Sequence, residues 1–150
     1  MEPQPSYHVA ANWTKGRNGV AKADGIEPSI QFSSPPEFHG EPGLWTPEHF
    51  LVAAAASCFV ATFAALAERL NMPFGKLELD VEGQLGKVEG RLRFAKMILR
   101  PTLTVFQSED RERGYGVLER AEHGCLIANS LSCPVLMEPL VQAADKVLAK

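Results

Sequence analysis

The feature that most constrains the fold is an uncharged segment, residues 50–67, whose eighteen residues are mainly alanine and larger apolar residues. Its length just reaches that of a membrane-spanning helix. Alanine contributes little to membrane insertion, however, and Ser57 and Thr62 interrupt the segment. A helix that is apolar on all sides is otherwise found buried inside a protein. We therefore predict a long, buried central helix and no membrane span.

The residues around this segment carry signals for both ends of a helix. Thr46 suits the N-cap, Pro47 the first helical position, and Glu48 the first turn, where a negative charge meets the positive end of the helix dipole. The helix is predicted to run to about Asn71, because Pro73 cannot continue it.

The length and charge of the chain limit its class. A chain of 150 residues suits one globular unit, and we predict a single domain over residues 1–150. The net charge of -3 and the lack of any Lys/Arg run offer no field for nucleic acid or anionic lipid, so neither is an expected partner. The N-terminus lacks a basic segment followed by an apolar core, which predicts a cytoplasmic protein.

The N-terminal third has the pattern of three short strands. Apolar and polar residues alternate over 7–14, the period of a half-buried strand. Asn18-Gly19 is favoured in a tight hairpin, so a second strand should return from Val20. A third strand is predicted around 29–32, after Asp24-Gly25, and the three are expected to be antiparallel neighbours.

The remainder alternates between strands and one helix. Residues 76–82 predict a strand with one solvent-exposed face. After a turn near 86–90, residues 91–105 predict one or two further strands. Pro101 is expected at a bulge or an edge. A second helix is predicted from Ser108 to Gly124, with an apolar face at Val117, Leu118 and Ala121.

The C-terminal residues predict one last strand over 134–141 and a short amphipathic tail over 142–150. The elements together predict the α+β class.

The three cysteines, Cys58, Cys125 and Cys133, form no C-x-x-C pair, and in a reducing compartment they are poor candidates for structural disulfides. Catalysis, redox cycling and plain core packing all remain open for them. A reactive cysteine needs a cation or a hydrogen-bond donor to hold the thiolate. The candidate cation is Arg17, in the "GRNG" turn, which as a hairpin residue could equally be solvated.

Glu48 is favourable in a first helical turn for its own sake, but its spacing from Cys58 is informative. Ten helical residues correspond to roughly 15 Å of rise, so the two side chains cannot meet within one straight helix. If both serve one site, either the helix is broken or a second subunit supplies one of them.

Four segments, "GRNG", "TPEHFLVAAAASCF", "LRPTLTV" and "HGCLIANSLSCPV", resemble the OsmC/Ohr family of osmotically induced and organic-hydroperoxide-resistance proteins. The resemblance spans about residues 7–141. It implies a thiol-dependent peroxidase of α+β subunits, with antiparallel sheets wrapped around a long central helix in an intertwined homodimer. Its two sites would lie at the subunit interface and would need neither a cofactor nor a metal.

The resemblance also implies roles for individual residues. Cys58 matches the peroxidatic cysteine and Cys125 the resolving one, while Arg17 and Glu48 match the pair that the family places beside the reactive thiol. The implied substrates are alkyl or lipid hydroperoxides, and the implied reductant is a dithiol such as a dihydrolipoyl protein. Cys133 lies outside the motif, so it is either a buried strand residue or an alternative resolving cysteine.

Three other functions are compatible with these residues. Cys58 could be the nucleophile of a hydrolase with His123 or His49 as its base. The cysteines could bind a metal together with histidines, although the paired ligand spacing of zinc sites is missing. The apolar helix could also line the groove of a non-catalytic dimer that binds hydrophobic ligands.

The segment after Cys125 is more similar to the osmotically induced branch, since a proline typically follows the second cysteine in the hydroperoxide-resistance branch.

Overall fold

The computed structural model describes residues 4–144, and these fall into two compact units, Met1–Leu51 and Val52–Lys150. The elements are those of a mixed α+β protein, as predicted. The prediction of one domain over residues 1–150 stays a prediction, and most of the predicted C-terminal tail lies outside the described residues.

The first unit is built on a three-stranded antiparallel sheet in the order β1-β2-β3, as predicted. Its strands are β1 (Ala10–Lys15), β2 (Asn18–Ala23) and β3 (Ile26–Ser33), and a short 3-10 helix follows at Pro36–Phe38. The backbone of Ser33 then donates a hydrogen bond to the Trp45 carbonyl (2.9 Å), which brings the following loop back to the end of β3.

The hairpin between β1 and β2 turns two residues earlier than predicted. Gly16 and Arg17 form the turn, and Gly16 has a φ of 54°, where a glycine is favoured. Gly19 lies instead within β2, opposite Trp13. A Cβ at position 19 would lie 2.5 Å from Cζ of Phe32, so close packing and not turn geometry requires this glycine.

The predicted half-burial of the first strand is wrong for this chain. All six residues of β1 are exposed, and Trp13 is 75% exposed. The alternation in the sequence therefore marks a strand with apolar side chains that the chain itself does not cover.

The long helix, α1, spans Pro47–Arg69 without a break. Its N-cap is Thr46, as predicted, because the Thr46 hydroxyl accepts a hydrogen bond from the His49 backbone (3.1 Å). The helix ends slightly earlier than predicted, in a Schellman motif with Asn71 at a φ of 54°. Its hydrogen bonds run from Asn71 to Glu68 (3.1 Å) and from Met72 to Ala67 (2.9 Å).

Only one stripe of α1 is buried within the chain. The buried residues recur at intervals of four, at Ala55, Phe59, Phe63 and Ala67. Much of the rest is exposed, including Val60 at 41%. By length and composition alone α1 would also suit a membrane span. Burial on all sides, as its composition predicts, is thus not achieved within one chain.

The second unit contains a mixed sheet, whereas the sequence predicted antiparallel strands. β4 (Lys76–Val88) and β5 (Arg91–Val105) form one long antiparallel hairpin around Glu89 and Gly90, and β4 has the predicted alternating exposure. The predicted last strand is instead two, β6 (Val135–Met137) and β7 (Leu140–Ala143). Both pair in parallel with β5.

Pro101 lies neither at a bulge nor in an edge strand. It sits in β5, the central strand, opposite Leu79 of β4, and the bulge lies farther along the hairpin, between Gln84 and Leu85. On its other side, β5 pairs with β6 through residues 97–99 and with β7 through 102–105. Pro101 therefore falls in the gap between the two, where β5 pairs with neither strand.

Two helices follow the hairpin. A 3-10 turn at Ser108–Asp110 leads into α2 (Arg111–Gly124), as predicted, and a single further turn, α3 (Leu126–Asn129), begins directly after Cys125. The core of this unit combines residues from α1, β5, α2 and β7. Its members include Phe59, Phe63, Ala67, Leu99, Leu103, Val105, Val117, Leu118, Ala121 and Val141.

Candidate active site with two cysteines

Cys58 lies in the middle of α1, one residue before the buried Phe59, so its sulfur is held at the border of the core. Its side chain is half-buried. One turn further along the helix, the Thr62 hydroxyl oxygen lies 3.8 Å from the Cys58 sulfur, a contact distance suited to a hydrogen bond to sulfur. The Cys58 side chain is therefore partly accessible to solvent and has a hydroxyl group beside its sulfur.

Cys125 occupies the junction between two helices. It caps the C-terminus of α2 and is also the N-cap of α3, with an extended backbone that turns the chain between them. Gly124, which the sequence predicted as a helix stop, is the last residue of α2. The Cys125 side chain is fully buried, at 0% exposure.

The side chains of Cys58 and Cys125 lie close enough for each to shift the pKa of the other, and both thiols are free. Partial burial would raise the pKa of Cys58. Hydrogen bonds from the Ile127 backbone, the Cys125 thiol, the Thr62 hydroxyl and the Leu126 backbone oppose that effect, and together they lower the pKa below its usual 9.0. Cys58 is thus the sulfur that this environment favours as a thiolate.

The same contact acts in the opposite direction on Cys125. Burial raises its pKa, and the hydrogen bond and negative charge of Cys58 raise it further, against hydrogen bonds from the Ala128 and Ile127 backbones. Cys125 is therefore the sulfur that this environment favours as the protonated thiol. When an environment drives two acidities apart in this way, it assigns different chemical roles to the two groups.

Three of the groups around Cys58 were not anticipated from the sequence. The backbone N–H groups of Leu126 and Ile127, in the first turn of α3, donate hydrogen bonds to the Cys58 sulfur within this unit. Their involvement could not be predicted, because any residue type supplies a backbone donor. Thr62 could have been found, since a hydroxyl four residues after a cysteine lies on the same face of a helix.

A cavity of about 550 Å³ is lined by Thr62, which contacts the Cys58 sulfur, and by Gly124, which precedes Cys125 in the chain. A Cβ at position 124 would lie 3.8 Å from Cγ2 of Thr62. Its other lining residues are Ala61, Ala65, Leu66, Arg69 and Arg120. The cavity is an open groove between α1 and α2 with an apolar middle.

Arg17 lies in the first unit, at the tip of the β1–β2 hairpin, where its side chain is exposed. It lines two shallow cavities of that unit, of about 410 Å³ and 330 Å³. Asn18, which also lines both, donates a hydrogen bond to Glu41. Arg17 therefore lies in the hairpin turn, as predicted, and its place beside the reactive thiol stays a prediction.

Glu48 also belongs to the first unit, in the first turn of α1 as predicted. Its Oε1 atom is buried, and no hydrogen-bond partner for that atom exists within residues 4–144. A buried carboxylate oxygen without a donor costs free energy. Glu48 therefore has an unfilled requirement for a hydrogen-bond donor, and α1 continues unbroken from Glu48 past Cys58.

The remaining candidates are engaged elsewhere. Cys133 is half-buried in the segment between α3 and β6. The His49 ring contacts the Thr46 hydroxyl (2.8 Å), and among the hydrogen-bond partners of Cys58 in the described chain there is no histidine. No three His, Cys, Asp or Glu residues are grouped as metal ligands within the described part of the chain.

Comparison with known proteins identifies relatives along most of the chain. Residues 40–139 match the family model described as OsmC-like protein. The uncharacterized protein YmaD of Bacillus subtilis strain 168 is 29% identical over 129 residues, which cover 83% of this chain and 85% of that protein.

Solved structures show the same fold. An OsmC-like protein of unknown function from Vibrio cholerae has a TM-score of 0.83 at 21% identity, with 91% of this chain and 100% of that one covered. An organic hydroperoxide resistance protein OsmC from Legionella pneumophila has a TM-score of 0.75 at 19% identity, with 94% and 99% covered. At these identities the likeness is one of fold.

Proposed function

Because this chain belongs to the OsmC-like protein family, we propose that it is a thiol-dependent peroxidase that reduces organic hydroperoxides. The observation that carries the proposal is the contact between a half-buried Cys58 of lowered pKa and a buried Cys125 of raised pKa. A thiolate next to a protonated thiol is the arrangement that a two-cysteine peroxidase requires.

The first step uses the Cys58 thiolate as the nucleophile. Its sulfur attacks the terminal oxygen of R–O–O–H, the O–O bond breaks, and the alkoxide leaves and takes up a proton to become R–OH. Cys58 is oxidised to a sulfenic acid, and the peroxide is reduced by two electrons. The amides of Leu126 and Ile127 and the Thr62 hydroxyl hold the sulfur as the anion before the attack.

The second step closes a disulfide. The Cys125 sulfur attacks the sulfenic sulfur of Cys58, an S–S bond forms, and the hydroxyl leaves as water with the Cys125 proton. A dithiol of the dihydrolipoyl class then reopens the disulfide by exchange and leaves as its own cyclic disulfide, which returns both cysteines to thiols. We infer a cytoplasmic location for this cycle, because free thiols persist in a reducing compartment.

Arg17 and Glu48 complete the proposal through a second copy of the chain. The unbroken α1 places about 15 Å of helix between Glu48 and Cys58, so one straight helix cannot bring the two side chains together. The unpartnered Glu48 Oε1 suits a bidentate contact with the Arg17 guanidinium. In an intertwined homodimer, this pair would lie beside the partner's reactive cysteine.

The test is consumption of cumene hydroperoxide with dihydrolipoamide as the reductant. We expect turnover by the wild type and by Cys133→Ser, which serves as the matched control for loss of a thiol. Cys58→Ser should abolish turnover, and Cys125→Ser without the reductant should consume one equivalent of peroxide and keep a sulfenic acid on Cys58.

Either of two results would contradict the peroxidase. Unchanged peroxide in the wild-type assay would favour a non-catalytic dimer that binds hydrophobic ligands. Thioester hydrolysis that survives in Cys125→Ser would favour a cysteine hydrolase, in which the second sulfur has no role.

A further inference from the structure

Side chains along the groove between α1 and α2 form a stripe that extends beyond the two cysteines. Along α1, Cys58, Thr62, Ala65 and Arg69 follow at intervals of four, three and four residues, so they share one face of the helix. The stripe thus begins at the reactive sulfur, passes a small apolar residue and ends at a guanidinium. Eleven helical residues place its two ends about 16 Å apart along the axis.

The opposite wall of the groove repeats this order. Gly124, beside Thr62, adjoins Cys125, and Arg120 lies one turn earlier in α2. Arg113, near the start of α2, donates a hydrogen bond to the Leu70 carbonyl just beyond the end of α1. The two helices therefore run antiparallel along the groove, so its thiol end and its arginine end are distinct.

The two arginines are exposed to solvent and lack partners of their own. Neither Arg69 nor Arg120 has an ion pair or a hydrogen bond to any residue in the range 4–144. Two like charges that line one groove repel each other, and an anion between them would relieve that repulsion. Between them and the cysteines the lining is apolar, through Ala61, Ala65 and Leu66.

We propose that this groove binds a linear acyl hydroperoxide by its free carboxylate, with Arg69 and Arg120 holding the carboxylate and the acyl chain running along α1 to Cys58. This inference rests on the proposed peroxidase, since it names the part of the substrate that does not react. The two arginines determine specificity and take no part in breaking the O–O bond. The groove selects against neutral peroxides of the same chain length.

The first experiment compares the 13-hydroperoxide of linoleic acid with its methyl ester, both below their micelle concentrations. We expect kcat/KM for the acid to exceed that for the ester by about three- to tenfold, the range for two exposed charge pairs. The combined variant Arg69→Gln, Arg120→Gln should lose this preference through a higher KM for the acid alone. Added salt should reduce the preference in the wild type.

Two controls separate recognition from net charge and from folding. Arg91→Gln removes one positive charge from an exposed position at the start of β5 and should keep the preference. Arg69→Lys with Arg120→Lys keeps both charges and should retain most of it. Arg91→Gln should also keep the wild-type activity toward cumene hydroperoxide, a peroxide without a carboxylate.

The outcomes distinguish this inference from the proposed function. If the wild type reduces cumene hydroperoxide but treats acid and ester alike, the carboxylate site is wrong and the peroxidase stands. If no peroxide is consumed, calorimetry with dodecanoate and Cys58→Ser decides the site without catalysis. Binding that weakens three- to tenfold in the double glutamine variant supports it, and equal binding of dodecanoate and dodecanol overturns it.

Discussion

The surroundings of the two cysteines shift their pKa values in opposite directions. Hydrogen bonds lower the pKa of Cys58, whereas burial and the neighbouring Cys58 raise the pKa of Cys125. Cys58 gains donors from Thr62 and from the first turn of α3, whereas Cys125 is buried beside the anion that results. The proposed roles of Cys58 as nucleophile and Cys125 as resolving thiol, which the sequence supported by resemblance alone, thereby gain a physical argument. The lowered pKa of Cys58 depends in part on the Thr62 hydroxyl, which a substitution by valine removes while keeping the size of the side chain.

Replacing Thr62 by valine should make Cys58 less acidic, because valine keeps the shape of threonine and lacks the hydroxyl. In the wild type, alkylation of Cys58 by iodoacetamide should accelerate as pH rises through a pKa below 9.0 and then level off. In Thr62→Val the profile should move to higher pH, and the rate at pH 7 should fall about two- to tenfold, since one hydrogen bond contributes about 0.5–1.5 kcal/mol.

Thr62→Ser is the matched control, as it restores the hydroxyl and should restore the wild-type profile. A profile for Thr62→Val that overlays the wild type would show that Thr62 has no electrostatic role. Sequence reasoning named Cys58 and Cys125 as a pair through the resemblance but did not identify Thr62. Its hydroxyl was treated as an interruption of an apolar segment, although its spacing from Cys58 was visible.

Among the elements, the strongest local signals predicted the structure best. The cap at Thr46, the stop at Gly124 and the hairpin strands β4 and β5 follow from local chemistry, and all are present. The division of the last strand at residues 138–139 and its parallel pairing with β5 were missed. Pairing of distant strands depends on tertiary contacts, which a pattern of two-residue alternation does not encode.

The position of Cys58 depends on how α1 packs into the core. A substitution of Phe63, a core residue of the same helix, tests this dependence. Phe63 is fully buried and packs edge-on against Phe74, with 5.1 Å between ring centroids. Phe63→Ala should lower the free energy of unfolding by about 3–5 kcal/mol, measured by urea denaturation at fixed protein concentration. Glu68→Ala, on the exposed side of the same helix, should change it by less than about 0.5 kcal/mol.

Disulfide closure should respond to the same change. Phe63→Ala loosens the core that α1 and α2 share, so the Cys58 sulfenic acid should persist longer before Cys125 traps it. Closure at the wild-type rate in a destabilised Phe63→Ala protein would show that the two sulfurs are positioned independently of this core.

The whole molecule exposes more apolar surface than an isolated chain of this size needs. Val60 on α1 is 41% exposed, and Trp13 and Ile26 on the first sheet are 75% and 65% exposed. Apolar side chains that are exposed in a single chain can be covered at an interface between proteins. The composition of α1 predicted burial on all sides, and a second copy of the chain is what would supply the missing half.

A charge on the exposed stripe of α1 should therefore separate the proposed dimer. Val60→Asp is expected to convert the dimer to a monomer in size-exclusion chromatography with light scattering, because an unpaired carboxylate is costly in an apolar interface. Leu92→Asp, at an even more exposed apolar position (55%) on the β4–β5 hairpin, should leave the dimer intact. A wild-type protein that is monomeric at all concentrations would contradict the homodimer.

The most direct test of the thiolate at position 58 is peptide mapping after one equivalent of cumene hydroperoxide, without reductant. The account predicts the loss of two hydrogens from the intact chain and a cross-linked peptide that joins Cys58 to Cys125, with Cys133 still free. A chain that stays fully reduced, or a link from Cys58 to Cys133, would contradict it.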